Sequence, residues 1–64
     1  MIDKYLRLLT KQLDDKIELL REAIGGGSAR DYAEYKGMVG EVKGLLTARL
    51  NVIDLLDKLE ESDD

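Results

Sequence analysis

The side chains with chemical reach in this chain are carboxylates, amines, guanidinium groups and three phenols; histidine and cysteine are absent. Without thiolate or imidazole there are no disulfides and no ordinary zinc, haem or iron–sulfur site. Asp14, Glu18 and Glu22 have the helical spacing to share a cation, but without a loop cage or a partnering histidine they do not make a specific metal site. Lys4, Arg7 and Lys11 fall on one exposed side that Asp14, Asp15, Glu18 and Glu22 continue. Such a run is the footprint of an RNA-binding patch or of a solvated face with pairs such as Lys11 with Asp15, and the solvated face is the commoner case. Catalysis would need a concave, water-excluding pocket with an activated acid, base or nucleophile, which a pair of helices lacking His and Cys does not offer. The expectation is a protein that is not an enzyme, with no cofactor, no metal and no catalytic residue.

The stretch Gly-Gly-Gly-Ser-Ala-Arg-Asp-Tyr, residues 25–32, is another place where chemistry could sit. A phosphate loop would follow a strand and end in Gly-Lys-Ser/Thr, and neither is present. The glycines instead mark a helix stop, since glycine takes the left-handed C-cap conformation without a Cβ clash. Ser28 reads as the next N-cap, with Asp31 three residues on as a short capping box. A flexible engineered linker is the other reading of the same residues.

The flanking segments are periodic. Ile2, Leu6, Leu9, Leu13, Ile17, Leu20 and Ile24 repeat every eleven residues, the pattern of a nearly straight helix face. Leu8 and Leu19 fall to one side and widen it. Tyr35, Met38, Val42, Leu45, Arg49, Val52, Leu56 and Leu59 repeat every seven, with Val39, Leu46 and Ile53 as a parallel row. A face that broad suits a multi-helix bundle. The spacing therefore predicts an all-α, two-helix antiparallel hairpin over residues 2–24 and 29–61. Its turn is expected at 25–28, with a short acidic tail at 62–64, and residues 1–64 form one unit that assembles into a larger bundle or complex.

Size and charge narrow the function. A core in 64 residues rarely supplies more than about 3–5 kcal/mol, so oligomerisation is the staple left. A net charge of −4 repels nucleic acid. No apolar run approaches the roughly 18 residues of a membrane span, and Asp3, Lys4 and Arg7 interrupt the N-terminus where a signal peptide is apolar. A cytoplasmic protein is expected.

Several residues are candidates for an interface. Ala33, Gly37, Gly40, Gly44 and Ala48 line small side chains along the second helix, although three interior glycines should cost it about 2–3 kcal/mol. Close approach by another chain, or by the first helix of the same hairpin, would offset that loss. Arg49 interrupts the apolar frame, either snorkelling at its edge or forming a buried or interfacial ion pair with a carboxylate of a partner chain, with Glu34 and Glu41 as the in-chain candidates. Tyr32 and Tyr35, one turn apart, are interface anchors or a lid over Leu20 and Ile24. Helices of about 23 and 32 residues differ by some 13 Å, so with the turn at Gly27 the second helix would leave Leu55, Leu56 and Leu59 unmatched. That end is expected to be covered by another chain.

Residues 31–61, Asp-Tyr-Ala-Glu-Tyr-Lys-Gly-Met-Val-Gly-Glu-Val-Lys-Gly-Leu-Leu and onward, resemble the C-terminal half of short acidic proteins from structural-gene cassettes of tailed, particularly short-tailed, bacteriophages. Tyr32, Tyr35, Gly40, Gly44, Leu45, Ala48, Asp54 and Leu55 carry the resemblance, which covers about half of the chain. It implies a minor virion or assembly component, made in the cytoplasm and incorporated in particles, whose partners are copies of itself or a larger assembly such as a phage particle. In length, hairpin design and acidity the chain is also similar to the RNA-binding hairpin of plasmid copy-number control, with no matching run of residues. An RNA-binding regulator of that kind, or a small inhibitor of a host protein, are the rival expectations.

Overall fold

The structure, a computed structural model, describes residues 2–62. Two helices, α1 (Ile2–Gly25) and α2 (Tyr32–Ser62), pack against each other as an antiparallel hairpin, the architecture that the two periodic segments predict. Helix α2 starts three residues later than its pattern implied. Of the expected acidic tail, Ser62 closes α2 and residues 63–64 lie outside the described residues.

The corner explains the late start. Gly27 alone has a left-handed backbone, φ 76°. Its N–H donates to the Ile24 carbonyl at 3.2 Å and that of Ser28 donates to the Ala23 carbonyl at 3.0 Å, the paired bonds of a Schellman cap. Ser28 is thus spent on ending α1 and does not begin α2. That role passes to Asp31, whose Oδ1 accepts the Glu34 N–H at 2.8 Å. Its carbonyl accepts the Tyr35 N–H at 3.1 Å as the first turn of the new helix forms. The expected boundary at residue 29 is corrected accordingly. Only one of the three corner glycines is demanded by conformation. Gly27→Ala should cost about 1–2 kcal/mol, the penalty for a Cβ in the left-handed region. Gly25 is helical and a Cβ there meets nothing within 4 Å. Gly25→Ala should therefore stabilise by about 0.5–1 kcal/mol. Urea titration of both variants checks the difference in sign.

The seam between the helices uses one period. Leu6, Thr10, Leu13, Ile17, Leu20 and Ile24 of α1 face Met38, Val42, Leu45, Arg49, Val52, Leu56 and Leu59 of α2, and each is buried or half-buried. The seven-residue frame expected for α2 is the one that packs, apart from Tyr35, which is exposed. On α1 the eleven-residue stripe is corrected. Ile2 and Leu9 are exposed, and Thr10 turns inward in their place, its hydroxyl donating to the Leu6 carbonyl at 3.0 Å. Two helices stay in contact along their length only if their inward faces drift at the same rate, so α1 adopts the repeat of its partner.

Register overturns the length argument. Arg7 pairs with Glu60 and Asp14 with Arg49, which places the midpoint between the helices near Tyr32 and not at the glycines. The surplus of α2 consequently projects past the corner. Leu56, expected on an unmatched end, is buried opposite α1, Leu59 is half-buried, and only Leu55 remains exposed. The molecule is a rod of 51 × 15 × 12 Å, too thin for an interior layer: among the described residues, Ile17, 4% exposed, and Leu56, 8% exposed, are the buried apolar ones.

Candidate functional site

The flanks of the seam differ in chemistry. On one, Arg7 Nη2 lies 2.5 Å from Glu60 Oε1 and Arg49 Nε lies 2.5 Å from Asp14 Oδ1, both pairs bridging the helices. Two open grooves run beside these pairs, one lined by Arg7, Thr10, Ile53, Leu56, Asp57 and Glu60, the other by Asp14, Ile17, Glu18, Arg21, Leu46 and Arg49. Leu50 projects outward from this charged flank.

The opposite flank is more apolar, although exposed Lys16 stands between Leu9 and Ala23 on one row and exposed Glu41 one heptad from Ala48 on the other. Ile2 and Leu9 stand one heptad apart on α1, Tyr5 and Leu19 two heptads apart on the neighbouring row, and Leu55 completes the patch from α2; all five are exposed. Half-buried Ala23 and Ala48 lie on the same flank. Leu8 extends it toward the back of α1. Sequence reasoning singled out Leu55, Leu8 and Leu19 but assigned Ile2 and Leu9 to the hairpin seam. The signal that separates them is the heptad itself: aligned to α2, positions 2 and 9 fall one row outside the seam.

The residues expected to form an interface are not brought together in one place. Gly37, Gly40 and Gly44 lie on the outer side of α2, where a Cβ on any of them meets nothing within 4 Å. The first helix does not pack there. Arg49 finds its carboxylate on α1 at Asp14 and not at Glu34 or Glu41, since the antiparallel register sets Asp14 directly across the seam. Glu34 is engaged by Arg30 Nε at 3.1 Å. Tyr32 and Tyr35 stand exposed on the projecting first turns of α2, ring centroids 6.2 Å apart, with Lys36 Nζ 5.9 Å from the Tyr32 ring. Of the basic run, Arg7 is paired with Glu60, and Lys11 with Asp15 at 3.3 Å, the i,i+4 pair anticipated from spacing. Among the described residues, no three acidic side chains converge to hold a metal ion.

Arg49 allows a sharp test. Its pair with Asp14 is partly solvated, and solvent-accessible pairs are worth about 0–1 kcal/mol. A leucine at this seam position would add buried apolar area at roughly 25 cal/mol per Å² while Asp14 returns to water. Arg49→Leu should therefore raise stability by about 1 kcal/mol, read as a higher urea midpoint with an unchanged slope.

No family model matches the chain, and no curated protein or solved structure matches it significantly. No helix among the described residues is long and apolar enough to cross a membrane.

Proposed function

We propose that this chain is a non-enzymatic assembly component that works by docking its bare helix faces onto other protein surfaces. The observation that carries this reading is the ratio of exposed to buried apolar residues: among the described residues, ten large hydrophobic side chains are exposed, against two buried ones. A monomer with that surface has more to gain from a partner than from its own core, because each such side chain is worth roughly 1.5–3 kcal/mol when fully buried. The virion setting rests on the resemblance of residues 31–61 to proteins from phage structural-gene cassettes, and with it come synthesis in the cytoplasm and incorporation into particles. An RNA-binding role is the weaker reading, since two of the three cations on the basic run are already neutralised and the net charge is −4. Mass spectrometry of purified particles from cells that make the protein tests the proposal. Recovery of the chain at a fixed ratio to a capsid protein is the expected result; its absence from the particles overturns the virion assignment.

A further inference from the structure

The apolar flank of Ile2, Tyr5, Leu9, Leu19 and Leu55 is unpartnered within the chain. Surface area indicates what size of partner it needs. One hairpin of 7.2 kDa exposes 5072 Å², whereas a compact protein of that mass exposes about 4,100 Å². A compact pair of such chains would expose about 6,800 Å². Two separate hairpins that join into a body of that compactness bury on the order of 3,000 Å², inside the roughly 2,000–5,000 Å² range of obligate homodimers. Two copies of this chain thus supply enough surface to reach a compact state with no third protein.

The flank is also complementary to itself. Its bulky residues, Ile2, Tyr5, Leu9 and Leu55, gather toward the open end, and the smaller Ala23 and Ala48 lie toward the corner. A two-fold axis crossing both helices midway, between the levels of Gln12 and Lys16, turns the open end of one copy onto the corner end of the other. Leu9 then meets Leu19 of the second copy, Leu55 meets its Ala48, and Tyr5 meets its Ala23.

We infer that the occupant of this flank is a second copy of the chain, packed α1 on α1 and α2 on α2 in opposite directions to give a four-helix dimer. The inference names the partner for the docking reading above and rests on it.

The unmodified protein supplies the first test. Tyr5 and Tyr32 are 68% and 72% exposed in the single hairpin, and they lie on opposite flanks. Hydroxyl-radical oxidation at rising protein concentration should fall several-fold at Tyr5 while Tyr32 stays constant, in step with a doubled mass in sedimentation. A single-hairpin mass at high micromolar concentration, or equal oxidation of both tyrosines in the dimer, overturns the inference. Leu9→Glu with Leu55→Glu should give monomer, whereas Leu50→Glu on the charged flank should leave the dimer intact, and the reverse outcome moves the interface to the other flank. A dimer missing from particles would sink only the virion assignment, and a monomer recovered in particles would sink only the dimer.

Discussion

Ile17→Ala is expected to remove the cooperative unfolding transition of the hairpin at room temperature. Ile17 is the most buried of the described residues and sits midway along the seam, where α1 has α2 on both sides of its level. Truncating a buried isoleucine to alanine typically costs about 2–5 kcal/mol through lost burial and the cavity left behind. The whole core of so small a chain supplies about 3–5 kcal/mol, so one substitution removes most of it. The same reasoning applies to Leu56, which the register places in the seam. Leu56→Asp buries a charge with no partner and should unfold the hairpin itself, not merely detach a docked end. Circular dichroism during urea titration checks both variants. A sigmoidal transition for Ile17→Ala within about 0.5 kcal/mol of the parent, the range of ordinary surface substitutions, would mean that the seam does not hold the helices together.

The triple replacement Gly37→Ala, Gly40→Ala and Gly44→Ala should act in the opposite direction and raise stability by about 2–3 kcal/mol. None of the three has a positive φ, and a Cβ at each projects into open space. Alanine therefore removes backbone entropy from the unfolded chain at no steric cost to the hairpin. Thermal denaturation measures the gain. If stability instead stays level or falls, another chain must approach that row closely enough for three methyl groups to collide with it. A cheap stabilisation left unused is the reason this row was singled out, and the measurement decides whether anything occupies it.

Much of the fold was legible because its determinants are local. Apolar residues recurring every three or four positions commit each segment to a helix, and Gly27 can end α1 because its left-handed backbone, φ 76°, suits a residue without a Cβ. The absence of cysteine and histidine removes disulfide frameworks and thiolate- or imidazole-ligated metal sites before any packing is considered. The Lys11–Asp15 pair was equally readable, since both partners lie on one helix at a spacing that geometry dictates.

Tertiary structure decided the rest. Ser28 and Asp31 are both competent N-caps, and the choice between them depended on Ser28 being taken up by the Schellman bonds that end α1. That three-residue delay moved the midpoint of the hairpin from the glycines to the neighbourhood of Tyr32, and with it the fate of Leu56, the partner of Arg49 and the end at which α2 projects. Whether Leu9 or Thr10 faces inward was likewise undetermined by α1 alone, because an isolated helix can present either an eleven- or a seven-residue stripe. The sequence of each helix determines which residues share a face; the register between helices is set by the summed fit of two long surfaces, and a shift of a few residues alters that sum only after both are laid together.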